Sequence, residues 1–227
     1  DPNDLSTMYQ DAAGTIPVTA VGQAVGLIRD KSGRGNHAFQ TTSASRPILR
    51  QNAVTGANYL EFDGTDDFLR TNNIDFTATD KVSLFAGVRL NSNGVGMICE
   101  LGNNSRNAFY ITNQYTMYSN GSNGYSSVLE AKYTATTAPV SNVIASKGNI
   151  SGQSNTIRVN GLEGSRNTGA LTAGTYGNHP LYIGRRGGTS VTFNGHIYNL
   201  IGIARLVTDT EISNTETVIA KTIGVAL

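Results

Sequence analysis

Residues 58–71 read NYLEFDGTDDFLRT, and this stretch decides the class of fold. Tyr59, Leu60, Glu61 and Phe62 alternate polar and apolar with period two, residues 64–67 (GTDD) supply turn chemistry, and Phe68 and Leu69 resume the apolar pattern. That is a strand, a tight turn and a strand. Directly downstream, residues 81–90 (KVSLFAGVRL) put Val82, Leu84, Ala86 and Val88 on one face and Ser83, Phe85, Gly87 and Arg89 on the other. Apolar residues on both faces fit a strand lying between two layers. Further strands are predicted over 95–101, 108–112, 115–119, 140–147, 155–159, 180–183 and 196–204. Between them lie clusters of Gly, Asn, Ser and Thr at 102–107, 120–124, 149–154, 160–164 and 184–189, which are turn-forming residues. Strands at this spacing, with no helical pattern between them, predict an all-β chain folded as an antiparallel two-sheet β-sandwich. Only the end changes period: Thr208 to Glu211 spells a capping box, and Ile212, Val218, Ile219 and Ile223 recur at helical spacing. A short C-terminal helix is expected there, stopped near Gly224.

The chain is 227 residues long, a length that one β-sandwich accommodates. Segment 1–25 lacks periodicity and reads as a lead-in packed on the sandwich, with Asn3 and Asp4 able to cap one helical turn; 26–227 forms the domain proper. Seventeen basic residues against sixteen acidic ones leave a formal charge of +1, without the basic footprint that nucleic acid or anionic lipid demands. No apolar run is long enough to insert in a membrane, and the N-terminus has no signal-peptide pattern. Since the sequence starts at Asp1 without Met, it is expected to be a fragment or mature product. The single cysteine, Cys99, rules out an internal disulfide and reads as a buried, inert thiol.

Catalytic patterns are sparse. His37, His179 and His196 lie apart without zinc-ligand spacing, and neither a Gly-x-Ser-x-Gly elbow nor a phosphate-binding Gly-rich loop is present. Glu61 and Asp63 would share one face of a strand, with Asp66 close by, a pairing that raises a polysaccharide hydrolase as one alternative. The competing reading is that Asp63 and Asp67 bind backbone amides of their own turn. In DKSGRGNHA (30–38) Asp30, Ser32 and Asn36 offer oxygens in a Gly-bent loop that could hold calcium, or could simply pin a turn. Residues 113–125 interleave Tyr115, Tyr118 and Tyr125 with Asn113, Gln114, Asn120 and Asn123. Aromatic rings beside planar polar groups suit a sugar, which has an apolar face and many hydroxyls. Asn113, Tyr115, Tyr118 and Tyr125 are therefore the candidate ligand-binding residues, Tyr115 and Tyr125 flanking one groove if they occupy successive strands; ordinary tyrosines of a sheet face are the alternative.

Several ordered segments resemble the laminin-G-like and concanavalin A-like lectin and glucanase jelly rolls: GLIRDKSGRGNHAF (26–39), YLEFDGTDDFLRT (59–71), FTATDKVSLFAGVRL (76–90), NTIRVNG (155–161), LYIGRRGG (181–188) and FNGHIYNLIGIARLVTDTEI (193–212). Glu61, Asp63 and Asp66 resemble the Glu-x-Asp-x-x-Glu strand of glucanases, with Asp in place of the last Glu. A Trp often found in a later core strand of the family is replaced here, Asn142 and Val143 occupying the comparable region. The opening 33 residues are similar to segments of bacteriophage and prophage tail and virion proteins. The resemblance implies a jelly roll and a non-catalytic module recognising a glycan or host surface polysaccharide on a virion or outside the cell, other virion subunits being its neighbours. A structural virion or assembly domain is the alternative from a different class.

Overall fold

The computed structural model describes residues 1–103, 106–119, 129–168 and 173–227. A single 3-10 turn, Leu5–Thr7, leads into β1 (Met8–Tyr9), β2 (Leu27–Ile28), β3 (Ala38–Phe39), β4 (Ile48–Gln51), β5 (Asn58–Asp63) and β6 (Leu69–Phe76). Then come β7 (Lys81–Leu90), β8 (Met97–Asn103), β9 (Arg106–Thr112), β10 (Thr116–Ser119), β11 (Leu129–Lys132) and β12 (Val140–Asn149). The last strands are β13 (Ser154–Val159), β14 (Leu162–Glu163), β15 (Asn167–Thr168), β16 (Gly177–Ile183) and β17 (Asn194–Ile203), and helix α1 (Asp209–Ile223) ends the chain.

Among the described residues the strands form two antiparallel sheets. One runs β1-β2-β3-β6-β16-β8-β9-β10-β11, the other β14-β13-β12-β7-β17-β5-β4, with β15 also on β13. The period-two pattern works as expected: Leu60, Phe62, Leu69, Val88, Leu101, Phe109, Ile111, Ile144, Ile157 and Phe193 point between the sheets and are buried in one core. Each such Leu, Ile or Phe stabilises the fold by about 1.5–3 kcal/mol relative to exposure. The result is a jelly-roll β-sandwich with one terminal helix.

β7 is the centre of its sheet, paired along its length with β12 and on the other side with β17. Its outward Phe85 joins Val143, Ala145, Tyr198, Ile212, Ile219 and Ile223 in a second cluster, because α1 lies across that outer face. A Cβ at Gly87 would come within 2.7 Å of Ile219 Cγ2, so the missing side chain lets the helix close on the sheet. The capping box forms as expected between Thr208 and Glu211, and Gly224 ends the helix in the left-handed region. Cys99 is fully buried and burial pushes its thiol up to about 12, keeping it protonated and inert.

One strand expectation needs correction. The strand predicted over 115–119 begins at Thr116, since Tyr115 has φ of 52° and its N–H donates to the Thr112 carbonyl at 3.0 Å, closing a turn. Asn142 points into the core, fully buried; its Nδ2 donates to Tyr115 Oη at 2.6 Å and its Oδ1 accepts from Asn160 Nδ2 at 2.8 Å. Each polar atom of this buried amide is hydrogen-bonded.

Candidate ligand-binding face

In the nine-stranded sheet, residues flanking the inward core positions must point outward. Register then aligns them across strands. Tyr9 pairs with Leu27, Leu27 with Phe39, Phe39 with Arg70, Arg70 with Tyr182, Tyr182 with Glu100, Glu100 with Tyr110, Tyr110 with Tyr118, and Tyr118 with Glu130. One outward row thus crosses the sheet perpendicular to its strands. It carries five aromatic rings from five strands.

The rings interact within the row. Tyr110 and Tyr118 stack face to face with centroids 4.4 Å apart and planes 11° from parallel, each covering one face of the other. Guanidinium groups lie over rings along it: Arg29 over Tyr9 at 4.7 Å, Arg70 over Phe39 at 5.3 Å and Arg186 over Tyr110 at 4.8 Å. Arg185 and Arg186 come from the Gly-rich loop after β16, which an Arg186 to Ser190 bridge folds back on itself. Arg185 lies 5.9 Å over Phe68, whose ring faces Tyr182 at 6.4 Å. The Gly184 and Gly188 of that loop sit at positive φ against Phe62 and Phe68, where a Cβ would clash.

Beneath the middle of the row lies Glu100, its side chain 1% exposed. Its Oε2 accepts the Gly187 N–H at 2.9 Å and its Oε1 sits 3.3 Å from Arg186 Nε as an ion pair without hydrogen-bond alignment. Burial pushes the Glu100 carboxyl up, while Arg186 and the Gly187 amide pull it back. The pair fastens the Arg-bearing loop to the sheet. Burial likewise pushes the Tyr110 hydroxyl up to about 12, with Tyr118 adding to it, so this surface is a neutral phenol donor and acceptor at physiological pH.

The structure separates the residues expected from the sequence. Tyr118 stands on the face, half-buried. Tyr115 does not: its ring is buried in the core and its hydroxyl lies 2.7 Å from Thr136 Oγ1, so it supports the fold and offers no sugar platform. Asn113 is buried too, its Oδ1 accepting the Gly96 N–H at 2.8 Å and its Nδ2 donating to the Gly94 carbonyl at 2.7 Å. It borders a cleft of about 200 Å³ with Leu90, Ser92, Gln114 and Thr136, which Tyr118 does not line. Tyr125 lies outside the described residues. The groove expected between Tyr115 and Tyr125 therefore has no support from Tyr115. Missed by sequence reasoning were Arg70, Tyr110 and Tyr182, which only the register brings together.

In the Asp30 loop, Asp30 Oδ1 accepts the Ser32 N–H at 2.8 Å, and Oδ2 accepts Ser32 Oγ at 2.6 Å and the Asn36 N–H at 3.1 Å. The carboxylate and the Ser32 hydroxyl thus hold the turn, and these bonds keep the Asp30 carboxyl below its usual range against the burial that raises it. Three donors converge on the oxygens that calcium would need, a poor fit to that ion. Carboxylates do gather at Asp63, Asp66 and Asp67, whose ligand atoms lie within 4.8 Å of one another. There, too, the oxygens serve the turn: Asp63 Oδ1 accepts from Thr65 N–H at 2.7 Å, Asp67 Oδ2 from Asp63 N–H at 3.0 Å and Asp66 Oδ2 from Ser45 Oγ at 2.6 Å. Glu61 is ion-paired to Arg50 at 2.7 Å on the outer face of the other sheet. The supposed catalytic carboxylates have structural partners.

No family model matches the chain, and no curated protein matches it. Solved structures do. The binding domain of botulinum neurotoxin serotype G superposes with a TM-score of 0.64 at 13% identity, over 84% of this chain and 48% of that one. The binding domain of botulinum neurotoxin DC in complex with SialylT gives 0.58 at 11%, over 85% and 50%. A Trypanosoma rangeli sialidase in complex with the inhibitor DANA gives 0.55 at 14%, over 95% and 36%. The chain therefore spans half or less of the length of these proteins, and the likeness is one of fold.

Proposed function

We propose that the chain is a non-catalytic carbohydrate-binding module and that its ligand lies on the aromatic row of the nine-stranded sheet. The observation that carries this reading is the single outward row in which Arg70 is paired with Tyr182 and Tyr110 with Tyr118, so that phenol and guanidinium donors stand beside aromatic rings. Sugar rings stack their apolar faces on such surfaces while their hydroxyls take hydrogen bonds from the polar groups. The bound SialylT of one similar structure supports a glycan ligand, as does the commitment of Glu61, Asp63 and Asp66 to structural contacts. The similarity of the opening 33 residues to phage tail and virion proteins supports a place on a virion or other extracellular surface, with a host polysaccharide as ligand and virion subunits as neighbours.

A glycan array, run with calcium and with chelator, tests the reading. A saturable hit weakened about tenfold by Tyr118→Ala or Tyr182→Ala is expected, the loss typical of an aromatic anchor. Signal that depends on calcium would reinstate a metal at the Asp30 loop. A blank array at high protein concentration would favour a structural virion domain instead.

A further inference from the structure

The charge along the row is uneven. Glu100 is consumed by Arg186 and Gly187 beneath the surface, and at the far end Glu130 pairs with Lys132 at 2.9 Å. Arg29 and Arg70 have no carboxylate within 4.0 Å among the described residues, although both are exposed. Each lies over a ring, which restrains the planar fork. Arg185 spends two donors on the Asp66 and Thr189 carbonyls, and its Nε is buried without a partner. A face that sets the exposed Arg29 and Arg70 guanidinium groups in one row with the outward ring of Tyr182, the register partner of Arg70, suits a ligand that brings negative charge together with apolar surface. From β3 to β10 six adjacent strands contribute, so the row runs for roughly 24 Å at ~4.8 Å per strand.

We infer that the face binds an extended anionic polysaccharide, lying across the strands, with Arg70 taking an acidic group of the chain while the outward side chains of Tyr182 and Tyr118 contact its sugars. This rests on the proposed glycan-binding role and adds the ligand class and its direction. Carboxylate and sulfate groups share the required chemistry, since both present paired oxygens to a guanidinium fork.

Polygalacturonate, its carboxyl-reduced neutral form and dextran sulfate are titrated against the whole chain by calorimetry, in about 0.02 M and about 0.5 M salt. The expected result is binding of polygalacturonate at least about tenfold tighter than of the reduced form, the loss of a charge-assisted contact. Arg70→Gln should remove that advantage, Arg70→Lys should restore part of it, and high salt should weaken it. Lys221→Gln removes the same charge from the exposed surface of α1, on the other sheet, and should change nothing. Binding of dextran sulfate alone would keep the anionic class and assign it to sulfate. Equal affinity for the reduced chain, or indifference to Arg70→Gln, overturns the inference; if Tyr118→Ala still abolishes binding of the neutral chain, the glycan-binding role stands without it. No binding of any polymer removes both.

Discussion

Tyr115 offers a sharp division between supporting the fold and touching a ligand. Its hydroxyl is buried between Asn142 Nδ2 at 2.6 Å and Thr136 Oγ1 at 2.7 Å. In Tyr115→Phe the ring stays and only this oxygen goes. Thr136 is half-buried and can turn to water, but Asn142 is fully buried and its Nδ2 keeps a single longer partner, Thr136 Oγ1 at 3.3 Å. One lost hydrogen bond plus a poorly satisfied buried amide costs about 1.5–2 kcal/mol. For a chain of this size that lowers Tm by roughly 3–8 °C. Tyr115→Ala also empties a core site and should cost about 3–5 kcal/mol. Scanning calorimetry measures both, and glycan affinity of the Phe variant, checked well below its Tm, should equal that of the parent. Tyr118→Ala should do the reverse, losing affinity with little change in Tm. A Tyr115→Phe protein as stable as the parent but unable to bind would refute the assignment of Tyr115 to the core.

Other consequences are equally accessible. Arg158 forms a two-pronged ion pair with the buried Glu216 at 3.0 and 3.1 Å, tying α1 to β13. Arg158→Ala strands that carboxylate and should cost about 3 kcal/mol or more in urea unfolding, whereas Glu216→Gln leaves a partly exposed guanidinium and should cost clearly less; equal losses would contradict this. Gly87→Ala drives a methyl against Ile219 and should destabilise by about 1–3 kcal/mol, visible as a lower urea midpoint. Two titratable groups act oppositely in acid. Burial, reinforced by Asp63, Asp66 and Glu61, pushes the Asp67 carboxyl up to about 6, so the folded state holds its proton longer and this group's contribution falls as pH rises from about 4 to about 6. Burial lowers His196 to about 4 against the pull of Glu61, so the unfolded chain takes up the proton first and this contribution falls as pH drops from about 6.5 to about 4. Asp67→Asn should therefore make urea midpoints more acid-sensitive across that window and His196→Gln less so; slopes shifting in the same direction would show the reasoning wrong.

Much of the sandwich was legible because its strands obey one periodicity. In β7 and β9 the inward residues are the alternate apolar ones, and the capping box of α1 was spelled out in four residues. The site was harder to read for a physical reason. Arg70 and Tyr182 are neighbours only because β16 inserts between β6 and β8, a pairing that no local pattern encodes. Tyr115 and Tyr118 look equivalent in sequence, yet a turn with φ of 52° sends the first into the core and the strand that follows leaves the second outside. Asn113, a turn-forming residue, was the available hint that the chain reverses there. The Asp30 and Asp63 segments carry oxygen-rich patterns that serve ligand loops and hydrogen-bonded turns alike, and only the direction of the amide donors separates the two.

A surface assembled from one residue per strand has a consequence for how it changes over time. No contiguous peptide contains it, so peptide arrays and nested truncations would miss it and an isolated fragment could not inherit it. Yet Arg70, Tyr118 and Tyr182 point away from the core, and each can be exchanged without repacking what lies behind. On the proposed reading, single substitutions along such a face alter which chain it accepts while the melting behaviour of the scaffold stays nearly constant, so specificity is free to drift without the penalty in folding that usually accompanies it.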